Sequence, residues 1–303
     1  MQVRKIPVSQ GLAWFRAAID LGARNPKAVF GAALLFMATL YLFALVMVAV
    51  VVAVRGEANA APNLMLVAIA FVPLFIGLMV LVPILLGGMM HVIREAEAGR
   101  PVRARDLFAP FRSPRLPALA LLGLFQIVLA ILGGMVFIAL AGPTYWQEYL
   151  GAIRGAMGGA TPVMPQPAHP GLLAIAQLTF NYFTYAVMLF AVPLVLFSNL
   201  GIVEAVRDAL RASVRNVGAN LVAAALFVAG TLVAAIVVLL ISQLFAWIGG
   251  LVHPAVGALL MMLPLLAFAA AMLVMLAGGA YIAWRDIFDD PQAPTQPFNG
   301  IEA

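Results

Sequence analysis

Six polar side chains interrupt one otherwise apolar stretch: Gln177, Thr179, Asn181, Tyr182, Thr184 and Tyr185. Gln177, Asn181 and Tyr185 are spaced i, i+4, i+8, which places two amides and a phenol on one face of a helix. Amides in hydrocarbon need hydrogen-bond partners, so this face is expected to point into a helix bundle, with Gln126 and the pair Ser242-Gln243 as partners. Two chemistries fit. One is interhelical hydrogen bonding, worth about 1 kcal/mol per bond. The other is a polar patch that receives a neutral or amphiphilic ligand.

The groups that usually carry catalysis are scattered. Every Asp and Glu lies in a polar segment or at the end of an apolar run, and no Lys or Arg sits inside one. Ionisable residues held within the membrane mark proton relays and voltage sensors, so their absence argues against ion coupling through carboxylates. His91, His169 and His253 belong to three separate segments and lack metal-ligand spacing. No serine-nucleophile elbow, phosphate loop or dinucleotide glycine pattern occurs. The chain has no cysteine, which removes disulfides and thiolate chemistry. The expectation is a protein that is not an enzyme and that needs no metal or cofactor.

The elements that position these residues follow from composition. The chain has 303 residues, 65% of them hydrophobic and 10% charged, with mean hydropathy +1.08. So few charges cannot cover a soluble surface. Six continuous apolar runs, at about 28–54, 64–92, 116–141, 172–200, 219–246 and 256–284, are each long enough to cross ~30 Å of hydrocarbon. Continuous runs exclude a barrel, whose strands alternate. The fold class expected is all-α, a polytopic bundle of six transmembrane helices. Fifteen of the seventeen Lys and Arg residues fall on one side of such a bundle, leaving Arg55 and Arg154 opposite, which predicts cytoplasmic termini. The net charge of +5 then belongs to the cytoplasmic rim and its anionic lipid, and no basic domain for nucleic acid remains. No stretch of signal-peptide length precedes Ala28, so the first span is expected to anchor the chain.

Two parts of the chain match at a fixed offset of 191 residues: Arg24-Asn25 with Arg215-Asn216, Pro73-Leu74 with Pro264-Leu265, Gly87-Gly88 with Gly278-Gly279, and Arg94 with Arg285. The segments 24–94 and 215–285 thus read as parallel hairpin repeats. The middle hairpin, 112–200, reads as a diverged third copy, because Arg112-Ser113-Pro114-Arg115 stands where Arg24-Asn25-Pro26-Lys27 stands before span 1. Asn and Ser cap helix starts and proline suits the first helical position, so each pair separates a span from a preceding helix. The preceding helices are amphipathic. Around 7–25, Leu12, Phe15 and Ile19 share one side, and Arg16, Asp20 and Arg24 another; before span 5, Arg207, Arg211 and Arg215 repeat that spacing. Such helices lie at the interface, so Arg16, Arg24, Arg207, Arg211 and Arg215 are candidate contacts for lipid headgroups or a partner. Prolines recur in the second span of each hairpin, as packing features or as kinks that shape a cavity. Outside, Tyr145, Trp146 and Tyr149 suit an interface, followed by a Gly- and Pro-rich tether from Gly155 to Gly171. Residues 1–285 make one membrane domain, and 286–303 read as a disordered tail.

The start Met-Gln-Val-Arg-Lys-Ile-Pro, then Gly11-Leu12-Ala13-Trp14 and Arg24-Asn25-Pro26, resembles an uncharacterised proteobacterial family of six-helix inner-membrane proteins. More distantly, the repeated amphipathic helix, Arg-Asn pair and hairpin resemble the membrane domain associated with glycerophosphodiester phosphodiesterases. The resemblance implies a bacterial inner-membrane location and supplies no active site, and no catalytic barrel is attached to this chain. The function expected is that of a membrane scaffold or accessory protein in envelope or lipid homeostasis. The alternative is a carrier for a neutral or amphiphilic molecule or lipid. Membrane lipids, another membrane protein or a second copy are the partners expected.

Overall fold

The computed structural model describes residues 2–21, 25–55, 64–157, 161 and 163–288. Among these residues every regular element is a helix: α1 Gln10–Asp20, α2 Pro26–Arg55, α3 Leu64–Glu97, a 3-10 helix Ala104–Arg112, α4 Leu116–Ala141, α5 Tyr145–Met157, α6 Pro170–Phe197, α7 Ile202–Arg215, α8 Val217–Gly250 and α9 Pro254–Phe288. Six of them, α2, α3, α4, α6, α8 and α9, are long and apolar enough to cross a membrane. The chain is an all-α, multi-pass membrane protein.

The spans form three hairpins, α2–α3, α4–α6 and α8–α9, and their second helices α3, α6 and α9 pack on one another. Each hairpin is preceded by a short amphipathic element, and that element docks on the hairpin before it. The 3-10 helix precedes α4 and packs on α2 and α3; α7 precedes α8 and packs along α6. Helix α1, which precedes α2, packs on α8 and α9, so the order of docked elements closes into a ring.

The paired glycines have a structural role in this docking. A Cβ on Gly88 would lie 1.8 Å from the Leu107 carbonyl oxygen of the 3-10 helix, and a Cβ on Gly278 would lie 2.6 Å from Leu21 Cδ1, just past α1. At Gly88 the neighbour is backbone, so only a residue without a side chain lets the 3-10 helix come this close; at Gly278 a side chain would displace the end of Leu21. On α6 the small residues are on the partner instead: the buried face of α7 is Ala205, Asp208, Ala209, Ala212 and Ser213. Corresponding elements keep one register. Helix α2 begins at Pro26 and α8 at Val217, 191 residues on; α3 ends at Glu97 and α9 at Phe288, also 191 residues on.

The core lies toward the arginine-bearing side. The buried residues are the starts of the first helices, such as Val29, Ala32 and Leu119, and the ends of the second ones, such as Met89, Ile93, Val192, Leu196, Trp284 and Ile287. Away from that side the hairpins expose most of their apolar surface, as lipid-facing helices do. Helices α6 and α8 do not pack side by side; Tyr182 and Asn220 join them near the start of α8.

The first and last described segments meet. The Arg4 backbone N–H donates to the Ile287 carbonyl at 3.1 Å. The Trp14 indole and the Gln10 amide both donate to Asp286 Oδ2, at 2.8 and 3.0 Å. Asp286 is therefore part of α9 and holds α1, in contrast to the tail expected from residue 286; residues 289–303 lie outside the described ones. Asn25 caps α2 as its sequence implies, accepting from the Ala28 N–H at 3.2 Å. Asn216, its counterpart, turns to the N-terminal segment instead. Its Oδ1 accepts from the Ile6 N–H at 2.8 Å and its Nδ2 donates to the Arg4 carbonyl at 3.0 Å.

Candidate functional site

The polar residues of α6 divide between two sides of the helix. Gln177, Asn181 and Tyr185 share a face, and that face is exposed, Tyr185 to 63%. The expectation that it points into the bundle is thus wrong. Gln126 is half-buried, Gln243 is exposed, and among the described residues no hydrogen bond joins either of them to that face. Ser242 is buried, and its hydroxyl has no hydrogen-bond partner among the described residues.

The inward polar residue is Tyr182, turned about 100° from Asn181 by the helical repeat. Its hydroxyl donates to the Ser213 carbonyl at 2.7 Å and accepts from Asn220 Nδ2 at 3.2 Å. It therefore pins the end of α7 and the start of α8 to α6. Tyr182→Phe is expected to cost about 1 kcal/mol by removing this bridge. Asn181→Ala is expected to change stability by less than ~0.5 kcal/mol, as for other exposed positions. Thermal unfolding of both variants in detergent checks the pair; a larger loss from Asn181→Ala would mean that its face is covered.

A second constellation is basic. The docking elements expose Arg16 on α1, Arg103, Arg105 and Arg112 on or beside the 3-10 helix, and Arg207, Arg211 and Arg215 on α7. Helix α1 docks through Gly11, Trp14 and Ala18, while Leu12 and Ile19 stay exposed beside Arg16. In α7, Asp208 is only 1% exposed and lies 3.6 Å from Arg207 Nε and 3.5 Å from Arg211 Nη1. Both arginines thus compensate a buried carboxylate while staying at the surface. Arg215 Nη1 donates to the Val3 carbonyl at 2.7 Å, so this candidate contact also fastens the N-terminus. Arg24 lies outside the described residues.

Between these elements, where α3, α6 and α9 end, Phe197, Tyr281 and Trp284 form an aromatic triangle with centroids 5.3–6.2 Å apart. The Arg94 guanidinium lies 4.7 Å above the Phe197 ring, a cation–π contact. Arg115 donates twice to Asn199 Oδ1, at 3.0 and 2.7 Å, tying the start of α4 to the end of α6. Asn199 has φ +55°, the left-handed conformation that asparagine tolerates after a helix. These contacts are aromatic packing, a cation–π contact and side-chain hydrogen bonds that tie helix ends together. Among the described residues no three His, Asp or Glu side chains come together as a metal site would require.

Two elements escaped the sequence reading. The 3-10 helix lies in what reads as a polar connection, where Pro110 masks the pattern; a period of three in Arg105, Phe108 and Phe111 is its signal. Helix α5 lies in the segment between α4 and α6, and its Tyr145, Trp146 and Tyr149 rings pack with centroids 5.5–6.1 Å apart. Comparison with protein-family models, curated proteins and solved structures gives no match to the chain.

Proposed function

We propose that the chain is a non-catalytic scaffold or accessory protein of the bacterial inner membrane, acting in envelope or lipid homeostasis with both termini cytoplasmic. One observation carries the reading: all three docking elements spend one face on the packed core and leave their arginines exposed. A basic belt around an immobile hub suits holding anionic headgroups or an acidic partner, each arginine near such a surface contributing about 1 kcal/mol. In the same reading, hairpins α2–α3 and α8–α9 are parallel copies, and α4–α6 is a diverged third. Their common register and the ring of docked elements support this.

The test is to purify the chain in mild detergent and identify what stays with it by mass spectrometry. Arg16→Glu combined with Arg211→Gln leaves Arg207 to neutralise Asp208. It is expected to lower the ratio of anionic to zwitterionic phospholipid retained, or the yield of a specific partner, at least tenfold without loss of protein. Unchanged lipid and partner recovery would sink the reading.

A carrier for a neutral or amphiphilic molecule or lipid is the second reading. The observation favouring it is the exposed polar face of Gln177 and Asn181 on α6, a helix that does not pack side by side with α8. Here Asn181→Ala abolishes transport at an unchanged protein level, whereas the scaffold reading leaves function intact.

A further inference from the structure

An apolar groove of about 520 Å³ runs beside the 3-10 helix. Its walls are Thr39, Leu42, Phe43 and Val46 of α2, Leu81 of α3, and Phe108 and Phe111 of the 3-10 helix. The α2 residues recur at i, i+3, i+4 and i+7, one helical stripe that covers about 10 Å of axis. Thr39 brings the one hydroxyl, and it is committed, donating to the Leu35 carbonyl at 2.7 Å. The walls thus offer a ligand no free hydrogen-bonding group, and they open toward the lipid: Leu42 and Val46 are both exposed. The volume falls in the range of small-ligand pockets, roughly 300–1,000 Å³.

The 3-10 helix gives this groove a charged end. Three residues per turn sort its side chains into three stripes. Ala104, Leu107 and Pro110 form the docking stripe, with Leu107 and Pro110 buried. Arg105, Phe108 and Phe111 form the groove stripe, its two rings 6.1 Å apart. Asp106, Ala109 and Arg112 form the third. Arg105 is therefore one turn from the groove wall, in line with it, and both Arg105 and Arg112 are exposed.

We propose that the groove holds an acyl chain of an anionic phospholipid whose phosphate sits at Arg105. Two observations fix the occupant. Helices α2 and α3 are membrane spans, so lipid is what reaches an opening between them. Arg105, exposed at its end, selects an anionic headgroup. The assignment deepens the lipid-binding side of the proposed role and rests on the basic belt lying at a membrane surface.

The test uses the full chain, reconstituted with phosphatidylglycerol and phosphatidylethanolamine, washed extensively in detergent and weighed by native mass spectrometry. The wild type is expected to keep one phosphatidylglycerol. Val46→Trp, which fills the groove from an exposed position, and Arg105→Glu, which reverses the headgroup charge, are each expected to lower that retention at least tenfold. The pair Arg16→Glu and Arg211→Gln, distant in sequence and on other elements, sheds the belt lipid held in mild detergent but is expected to keep this one phosphatidylglycerol through the wash. Retention unchanged in both groove variants overturns the assignment; if the Arg16/Arg211 pair then loses lipid, the basic belt stands without the groove. Equal retention of phosphatidylethanolamine by the wild type overturns the anionic headgroup. Loss of all lipid selectivity in the wild type sinks both the groove and the belt.

Discussion

Gly88→Ala is expected to dislodge the 3-10 helix and to cost the protein a sizeable part of its margin of stability. The added Cβ would meet the Leu107 carbonyl oxygen at 1.8 Å and its carbonyl carbon at 2.7 Å. Both are backbone, so no rotamer change relieves the contact; the whole element must move. Leu107 is fully buried, and the same helix also touches Gly31 of α2 through Ala104. Overpacking a well-filled interior costs about 1–3 kcal/mol, and a backbone collision belongs at or above the top of that range. Net stabilities are about 5–15 kcal/mol, so the loss should show as a large drop in melting temperature and in folded yield. Gly134→Ala is the control. A Cβ there meets nothing within 4 Å, and alanine favours a helix, so stability should hold or rise slightly. Similar melting of Gly88→Ala and Gly134→Ala would show that the 3-10 helix does not approach α3 so closely.

Asn216→Ala with Asp286→Ala is expected to release the N-terminal segment from the bundle. Asn216, 2% exposed, holds the Ile6 N–H and the Arg4 carbonyl; Asp286 holds the indole of Trp14, also 2% exposed, and the Gln10 amide. Leaving a buried group unpaired costs about 1–3 kcal/mol, so the double variant should lose roughly 2–5 kcal/mol. Both residues fasten one segment, so their effects should not add: once one clasp is open, the other has less to hold. Proteolysis from the N-terminus in detergent reads the release directly. Protection equal to that of the wild type would mean that α1 is held by packing alone.

The sequence made the spans legible because an apolar run longer than 18 residues has few other uses. It made the cap at Asn25 legible because the bond is local. The contacts of Asn216 were not legible, although the residue type and offset match, because its partners lie more than 200 positions away. The face of α6 was misread for a physical reason. In a membrane both the bundle interior and the lipid are apolar, so periodicity does not tell inside from outside, and the argument that amides turn inward chose the wrong polar residues. Tyr182 carries the interior bonds, one step round the helix from Asn181. Asp286 was misplaced because acidic residues before Pro291 read as tail, and its indole partner belongs to the far end of the chain. The arginine spacing of α1 and α7 foretold amphipathic helices but not which hairpin each would join.

The docking of α1 on α8 and α9 has a consequence for biosynthesis. Helix α1 leaves the ribosome well before α8 and α9, the hairpin it packs on, while the 3-10 helix and α7 each find their hairpin already synthesised. Helix α1 therefore waits through the synthesis of α2 to α7 without its seat, with the indole of Trp14 and the amide of Gln10 waiting for Asp286. Closure of the ring has to follow the emergence of α9, so any nascent chain halted earlier carries an undocked N-terminal helix. That undocked helix would distinguish molecules halted before α9 from those in which the ring has closed.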